Sequence, residues 1–286
     1  MNMLIADSGS TKTEWCYLDD DANAHTFYTK GLNPYYNTKE SLIETIREGI
    51  THVVNGDVKP AIFFYGAGCS LPEKKALIRE AFEVVFRSAD IFVNDDLIGA
   101  ARALCGHNRG IAAILGTGSN SCLFDGTNIV ENIPSLGFVL GDEGSGGFIG
   151  KQIVRAYFYA ELPKEIILYM EREFNMNRKY VLDNIYHVSQ ANRYVASFAS
   201  VTSKFAQHPF IKQLVHDGFE EFITSHVLKY TDCENYEVGF IGSVAYFHQD
   251  TMEKVLEKYG LSAGQFLKQP MQKLIEYHSL THEESN

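Results

Sequence analysis

The chain has 286 residues, of which 45% are hydrophobic and 21% charged, and its formal net charge is -11. This length allows one large domain or two of roughly 100 to 200 residues each, and the apolar content is sufficient for complete cores. No run of Lys or Arg offsets the acidic balance, which argues against a partner that is nucleic acid or an anionic membrane surface. The longest apolar runs are far shorter than the ~20 residues that a spanning helix requires, so no membrane segment is predicted.

The first hundred residues alternate between strand and helix patterns. Three strands joined by short turns are predicted at 3–7, 13–18 and 24–29. Apolar residues at helical spacing then predict a helix that begins near residue 38, with Thr38 or Ser41 as its N-cap. The next elements are predicted as a strand at 61–65, a helix at 72–86, a strand at 91–93 and a helix at 96–104.

After residue 110 the same order of elements begins again. Strands are predicted at 111–115, 119–124 and 128–133, and a long, mostly helical stretch follows at 145–230. The chain is then predicted to close with a strand at 238–241 and with helices at 243–258 and 270–278. This repetition favours two similar domains.

Two segments share one local pattern, an apolar run followed by a tight turn of Gly, Ser and Thr, at residues 5–13 and 114–121. Such a turn presents backbone N–H groups and hydroxyls together, which are the donors that an anionic phosphate needs. When the glycines of the two turns are aligned, Asp7 falls opposite Gly116, so only the first copy carries a carboxylate. The pattern predicts two half-domains whose turns both bind phosphates. Only Asp7 is predicted to bind a magnesium ion. Two ordinary hairpin turns are the alternative.

Asp95 and Asp96 stand where a short apolar strand meets a helix. Ligands of open α/β sheets gather beyond the carboxyl ends of strands, and a carboxylate there can accept a proton from a substrate hydroxyl. Asp is also a preferred N-cap, so one of these two residues can serve the helix alone. The sequence does not choose between them.

Glycines are densest at 137–147, where Asp142 and Glu143 precede a predicted helix. Glycine lets a backbone approach a ligand closely, and the paired carboxylates either hold sugar hydroxyls or complement the positive end of the helix dipole. Gly242 and Ser243 repeat the order of strand, glycine and helix, which leaves room for an adenine ring or simply begins a helix. The sequence completes neither a Walker A loop nor a GxGxxG motif, so a Rossmann site is unsupported.

Taken together, these segments resemble the actin, heat-shock chaperone and sugar kinase superfamily, and within it the N-acetylglucosamine kinases of the BadF/BadG/BcrA/BcrD ATPase family. The resemblance spans almost the whole chain and is carried by residues 7–13, 94–96, 116–120, 141–145 and 242–245. It implies an α/β fold of two ribonuclease-H-like (actin-like ATPase) domains with a nucleotide cleft between them. The implied domains are 1–108, joined by the C-terminal helix 270–286, and 109–269, with a helical insertion at about 145–231.

The resemblance also implies a role for each matching residue. Asp7 would organise Mg2+ through water, and Asp96 would be the catalytic base that takes the proton of a sugar hydroxyl as it attacks the γ-phosphoryl group. Gly242 would pack against adenosine. The hexosamine would be held by Asn33, Asn120 and Asp142. The phosphates would be contacted by Ser10, Thr11, Lys12, Thr13, Thr117 and Gly118.

The function that the resemblance implies is phosphorylation of an amino sugar by ATP with Mg2+, with N-acetylglucosamine as the acceptor at its 6-hydroxyl. Glucosamine and N-acetylmuramic acid are alternative acceptors, because a single methyl or hydroxyl group is worth only about 1–3 kcal/mol of discrimination. The resemblance further implies a homodimer.

Two other classes of protein are related to this superfamily. ATPases that activate a partner enzyme hold an iron–sulfur cluster with two cysteines per chain, whereas the five cysteines here form no CxxC pair and lie mostly in apolar stretches, which predicts neither disulfides nor zinc. Sugar-responsive repressors need a DNA-binding segment and usually a cysteine-rich zinc motif, and the sequence shows neither. Asp7 and Lys12 interrupt the N-terminal apolar residues before a signal-peptide core could form, so a cytoplasmic protein is expected.

Overall fold

The computed structural model describes residues 2–9, 12–21, 23–51, 53–54, 59–188 and 190–283. Two compact units divide the chain. Unit 1 comprises Met1–Gly106 and Pro270–Asn286, and unit 2 comprises His107–Gln269. None of the described helices combines the length and the apolar character that crossing a lipid bilayer requires.

The secondary structure alternates between strands and helices in both units. The strands are β1 (Met3–Ser8), β2 (Lys12–Leu18), β3 (Ala24–Lys30), β4 (Ala61–Gly66), β5 (Asp90–Asp95), β6 (Gly110–Leu115), β7 (Ser119–Phe124), β8 (Ile129–Glu131), β9 (Glu237–Ile241) and β10 (Ser262–Leu267). The α-helices are α1 (Lys39–Ile50), α2 (Pro72–Val85), α3 (Asp96–Cys105), α4 (Gly137–Leu140), α5 (Gly146–Phe158), α6 (Lys164–Glu173), α7 (Arg178–Tyr186), α8 (Ala191–Ser197), α9 (Ser200–Lys204), α10 (Pro209–Ser225), α11 (Ser243–Phe247), α12 (Gln249–Lys258) and α13 (Met271–Glu283).

Unit 1 is built on a five-stranded mixed sheet in the order β3-β2-β1-β4-β5. The first three strands are antiparallel neighbours, whereas β4 and β5 run parallel to β1. Helix α1 buries Leu42, Ile46 and Ile50, which are spaced four residues apart and therefore share one face. Thr38 caps this helix by accepting a hydrogen bond from the Ser41 backbone N–H at 3.3 Å, which decides between the two predicted caps.

Unit 2 repeats this topology with the sheet order β10-β9-β6-β7-β8. Strands β6, β7 and β8 are antiparallel neighbours, and β9 and β10 run parallel to β6. Helices α5 to α10 lie in the chain between β8 and β9 and close over a core that includes Phe198, Phe219, Phe222 and Phe240. The predicted α/β class with two repeated sheets is confirmed.

The structure differs from the predicted elements mainly near the C-terminus. Strand β10 was not predicted, because its mixed polar sequence lacks clear alternation and its pairing partner β9 is distant in the chain. The single helix predicted at 243–258 is two helices. His248 leaves helical geometry between them (φ -123°, ψ 30°), and its buried ring makes a 2.8 Å hydrogen-bond contact with Thr202.

Candidate functional site

In unit 1, two carboxylates lie at the same edge of the sheet. Asp7, near the end of β1, is level with Tyr65 of β4 and Asn94 of β5. Because these three strands are parallel, their carboxyl ends meet at one edge, and Asp96 follows β5 there as the first residue of α3. Strands β1 and β5 are separated by two strand spacings, or about 10 Å.

The surroundings of both carboxylates disfavour the charged form. Burial raises the pKa of Asp7 to about 7, the negative charges of Asp96 and Glu14 contribute further, and the positive charge of Lys12 opposes them. Burial and then the charge of Asp95 raise the pKa of Asp96 to about 6. A carboxylate with such a pKa is suited to accept a proton near neutral pH or to bind a cation.

Asp95 is the N-cap of α3. Its Oδ1 accepts a hydrogen bond from the Ile98 backbone N–H at 2.9 Å, and its backbone is extended (φ -76°, ψ 164°) as a capping residue requires. Of the two aspartates that the sequence offered as the cap of α3, Asp95 is therefore the one that caps the helix. Asp96 is the neighbour whose carboxyl group has the raised pKa.

The first glycine turn joins β1 to β2, and two of its predicted phosphate ligands, Ser10 and Thr11, lie outside the described residues. The Lys12 side chain is exposed, with its ammonium 3.7 Å from the centre of the Tyr28 ring. Lys12 can therefore contact a ligand if it gives up its cation–π contact with Tyr28.

The described structure does not support the predicted phosphate contact of Thr13. Its side chain is fully buried, and its hydroxyl lies 2.7 Å from the Ser8 hydroxyl and donates to the Lys30 carbonyl at 3.1 Å. The Ser8 hydroxyl also accepts a hydrogen bond from the Leu32 backbone N–H at 3.0 Å. These buried hydroxyls fix the residues on both sides of the first glycine turn, so Thr13 contributes to the shape of that turn.

Glu14 is a further acidic residue near Asp7, and the sequence pattern did not predict it as a site residue. It lies directly opposite Asp7 across the antiparallel pair of β1 and β2, where like charges repel. One carboxylate oxygen accepts a hydrogen bond from the Tyr28 hydroxyl at 3.1 Å, and the other, Oε2, is buried without a partner among the described residues. The available signal was a carboxylate next to the apolar run of residues 15–18.

Asn33 lies in the same unit, in the loop between β3 and α1. It is buried, and its Oδ1 accepts a hydrogen bond from the Tyr35 backbone N–H at 2.9 Å. This bond is the local pattern that Asn side chains favour in turns. It fixes the orientation of the Asn33 amide next to the exposed Tyr35 ring.

In unit 2, the second glycine turn is fixed by the start of α5. The backbone N–H groups of Gly146 and Gly147 donate to the carbonyls of Gly116 and Thr117 at 2.8 and 2.9 Å. These carbonyl oxygens would repel a phosphate, and here they are bonded to the helix start instead. The Thr117 side chain is exposed, and Gly118 is partly exposed.

Asp142 is held against this turn. Its Oδ1 accepts hydrogen bonds from the Ser119 backbone N–H at 3.2 Å and from the Ser135 hydroxyl at 3.1 Å. Burial raises the pKa of its carboxyl group, and the hydrogen bonds oppose that shift. Asp142 does not cap α5, because Ser145 accepts the capping bond from the Phe148 backbone N–H. The Asp142 carboxylate therefore binds the second glycine turn and not the start of α5.

Asn120 lies on β7, one residue beyond Ser119. Its Oδ1 accepts hydrogen bonds from the Ser121 backbone N–H at 3.0 Å and from the Asn132 side chain at 3.2 Å. With its carbonyl oxygen engaged, the Asn120 amide N–H2 group is the part of the side chain suited to meet a ligand oxygen.

Unit 2 also contains a cavity of about 260 Å³. The second turn contributes Gly116 and Thr117 to its wall, and the start of α11 contributes Ser243. This volume lies just below the range of about 300–1,000 Å³ typical of ligand pockets, so it suits one part of a ligand, such as a nucleoside.

Gly242, at the end of β9, shapes the approach to this cavity. Its φ of 123° is a conformation that L side chains rarely adopt, and a Cβ there would lie 2.3 Å from the Leu115 carbonyl oxygen. Glycine is therefore required for the close approach of β9 to the end of β6.

A wall of this cavity comes from residues 196–203 around α8 and α9, which the sequence analysis had placed only within a helical stretch. The described segment supplies small and hydroxyl side chains, including Ser197, Ser200 and Ser203. This run of small residues was the signal available in the sequence. Its position beside the second turn depends on the packing of α8 against α5.

The structure distributes the predicted site residues between the two units. Unit 1 contains Asp7, Lys12, Thr13, Asn33 and Asp96. Unit 2 contains Thr117, Gly118, Asn120, Asp142 and Gly242. Within unit 1, Asp7 and Asp96 come together at the sheet edge. Within unit 2, the second turn contacts Asp142 and borders the cavity next to Gly242.

Comparison with known proteins places these observations among solved structures. No protein-family model matches the chain, and no curated protein matches it. The chain is similar to a protein of Porphyromonas gingivalis described as "Putative N-acetylglucosamine Kinase", with 36% sequence identity, a TM-score of 0.91, and coverage of 98% of this chain and 99% of that chain.

Two more distant structures share the fold. A protein of Chromobacterium violaceum with the same description has 16% identity and a TM-score of 0.64, covering 96% of this chain and 98% of that chain. A ROK family glucokinase from Streptomyces griseus, in complex with glucose and AMPPNP, has 14% identity and a TM-score of 0.55, covering 98% and 99%. The predicted fold, that of the actin-like ATPases and sugar kinases, is confirmed. Membership of the BadF/BadG/BcrA/BcrD family stays a prediction, because no family model matches.

Proposed function

The chain belongs to the same family as the Porphyromonas gingivalis protein, and from this premise we propose that it is an ATP-dependent kinase of an amino sugar, with N-acetylglucosamine as the acceptor at the 6-hydroxyl. The observation that carries the proposal is the pair of carboxylates, Asp7 and Asp96, at one edge of the unit 1 sheet with raised pKa values.

Asp96 is assigned as the general base. A pKa of about 6 leaves its carboxyl group ionised at neutral pH yet basic enough to take a proton from a hydroxyl in the transition state. The assignment is supported by Asp95, whose side chain is engaged as the cap of α3. Asp96 would accept the proton of the sugar 6-hydroxyl as its oxygen bonds to the γ-phosphorus of ATP and ADP leaves.

The residues around Asp7 fit a magnesium ion. Asp7, Glu14 and Asp96 repel one another in a partly buried place where Lys12 is the counter-charge acting on Asp7, and Glu14 Oε2 is buried without a partner among the described residues. A divalent cation relieves this repulsion, and carboxylate oxygens are the ligands it prefers. Asp7 would hold the ion through water. A magnesium ion at Asp7 would supply positive charge that offsets the negative charge of the phosphates during transfer.

Residues for the phosphates and the adenosine are assigned in each unit separately. In unit 1, Lys12, Ser10 and Thr11 are assigned to phosphate binding. In unit 2, the same role is assigned to Thr117 and Gly118. The assignment in unit 2 is supported by the engaged carbonyls of the second turn. The adjacent cavity with Gly242 nearby would take the adenosine.

Asn33 of unit 1 is assigned to sugar binding, and in unit 2 the same role is assigned to Asn120 and Asp142. Each of the three side chains has at least one oxygen fixed by a hydrogen bond, so its orientation is set before a sugar binds. Such preorganisation lowers the entropic cost of binding.

The proposal is tested by coupled ADP release with ATP and Mg2+ across N-acetylglucosamine, glucosamine, N-acetylmuramic acid, N-acetylmannosamine and glucose. We expect N-acetylglucosamine to give the strongest stimulation and 6-deoxy-N-acetylglucosamine, which lacks the acceptor hydroxyl, to give none. Stimulation by another amino sugar would correct the substrate. ATP hydrolysis that no sugar stimulates would contradict the kinase and favour a partner-activating ATPase.

A further inference from the structure

A hydrogen-bonded pair of largely buried side chains, His226 and Glu143, lies next to the proposed sugar carboxylate Asp142 and has none of the roles assigned above. Nε2 of His226 lies 3.0 Å from Oε2 of Glu143, and the two side chains are only 6% and 17% exposed. His226 follows the last turn of α10, whereas Glu143 is the neighbour of Asp142 in the chain. The pair therefore joins the end of a distant helix to the segment that carries Asp142.

The hydrogen bond has a defined direction. An ionised carboxylate only accepts, so the proton of this bond belongs to Nε2 of His226. The other ring nitrogen, Nδ1, is buried without a hydrogen-bond partner among the described residues. A buried unpaired polar atom costs stability, and an apolar ring in its place would avoid that cost. What distinguishes histidine from an apolar ring at position 226 is the hydrogen bond that its Nε2 donates to Glu143.

The segment around Glu143 rests on one face of α10. Gly218, Phe222 and His226 follow one another at intervals of four residues, which places them on the same face. Gly144, with a φ of 69°, lies so close to this face that a Cβ on it would be 3.1 Å from Phe222 Cβ and 3.2 Å from the Gly218 carbonyl oxygen. The His226 ring stacks on Phe222 with centroids 5.1 Å apart.

The backbone of Asp142 depends on this support. Its φ of 61° is uncommon for a residue other than glycine and costs free energy unless surrounding contacts maintain it. The side chain is tied to Ser119 and Ser135 on one side, and Glu143 is tied to His226 on the other. The conformation that presents the Asp142 carboxylate is thus held from both sides.

We propose that His226 is a positioning residue for the sugar site, which acts through Glu143 to hold Asp142 in its binding conformation. This inference rests on the proposed function, because it assigns Asp142 to the sugar. His226 itself does not touch the substrate. Losing its donor therefore weakens sugar binding more than nucleotide binding, since the carbonyls of the second turn remain held by α5.

The test compares two substitutions at one position, His226→Phe and His226→Gln. Phenylalanine keeps the ring that stacks on Phe222 but removes the donor. Glutamine loses the ring but places an N–H near the position of Nε2. We expect His226→Phe to raise the KM for N-acetylglucosamine by about tenfold or more, as a misplaced binding group does, with a much smaller change in the KM for ATP. His226→Gln is expected to restore most of the sugar affinity.

A second variant keeps the test informative if His226→Phe does not fold, as monitored by circular dichroism and thermal unfolding. Glu143→Met removes the acceptor from the other side and should raise the sugar KM in the same way. The double variant with His226→Phe should then show no further increase, because both changes break one interaction.

The outcomes separate the two proposals. A wild-type protein that phosphorylates no sugar overturns the proposed function and this inference with it. A wild-type sugar kinase whose sugar KM is the same in folded His226→Phe and Glu143→Met variants overturns the inference alone. Equal increases of the KM for ATP and for sugar also overturn it, because they indicate a general loss of structure.

Discussion

The two units share one strand order but place opposite electrostatic character at their glycine turns. In unit 1, burial raises the pKa of Asp7 to about 7, and the negative charges of Asp96 and Glu14 add to this shift. In unit 2, Gly116 stands where unit 1 has Asp7, and the acidic residue near the turn, Asp142, accepts hydrogen bonds from two donors.

This difference shows how one local frame supports two kinds of chemistry. A strand, a tight turn and a second strand are specified by short-range preferences and recur in both units. The roles proposed for unit 1, accepting a proton and binding a cation, depend on Asp7 of β1 and on carboxylates that neighbouring elements bring close to it. The phosphate binding proposed for unit 2 depends on backbone groups that the start of a helix holds in place. Four predictions test this division.

The largest effect is expected for the proposed base. Asp96→Asn removes the proton acceptor while it keeps the size of the side chain, and we expect the kcat of sugar phosphorylation to fall by about 10²- to 10⁴-fold. The matched control is Asp95→Asn, because Asn caps a helix as well as Asp does and turnover should persist. Loss of turnover in the control with retention in Asp96→Asn would show that the base is Asp95.

Making the second turn resemble the first should weaken nucleotide binding. A Cβ at Gly116 would meet nothing within 4 Å, so Gly116→Asp can be accommodated. Its charge would repel the phosphates, and we expect the KM for ATP to rise about tenfold, the equivalent of roughly 1.4 kcal/mol. Gly116→Ala adds the Cβ without the charge and should bind ATP normally. If alanine is as harmful as aspartate, the effect is steric.

Asp7→Asn should make the ligand-free protein more stable at pH 8 while it abolishes the response of activity to Mg2+. The folded pKa of about 7 exceeds the unfolded value of 3.8, so the native state binds more protons between these values and its stability falls as the pH rises through that range. Asparagine removes this loss. Allowing for partial exposure, we expect a gain of about 1 kcal/mol at pH 8, or about 2–4 °C in Tm.

The control for Asp7→Asn is the same comparison at pH 4 or below, where the carboxyl group is protonated in the folded state and increasingly so in the unfolded state. The difference in Tm between variant and wild type should shrink there. A difference in Tm that is independent of pH would mean that the raised pKa of Asp7 is not its cause.

The smallest effect concerns the acid limb of the pH profile. Activity should fall as the pH drops below about 6, because Asp96 must be ionised to accept a proton. Since the charge of Asp95 contributes to this raised pKa, Asp95→Asn should move the acid limb of kcat/KM to lower pH by a fraction of a unit. An unchanged limb would show that another group controls it.

Much of the frame was accessible from the sequence. Apolar runs and turn residues predicted the strands on both sides of each glycine turn, and these pairs are present in the structure. Helical spacing predicted α1, and its cap was one of two named candidates. The polar edge strand β10 was missed, because its local sequence carries little strand signal without its neighbour β9.

The sequence by itself determined the features that depend on neighbouring residues, which are the two repeated turns, the asymmetry between Asp7 and Gly116, and the acidic pair at the start of α3. The tertiary structure alone decided which side chains meet. It places Glu14 opposite Asp7, assigns the cap to Asp95, and pairs Glu143 with His226, 83 residues away. Strand register and helix packing create these contacts, and periodicity along the chain does not encode them.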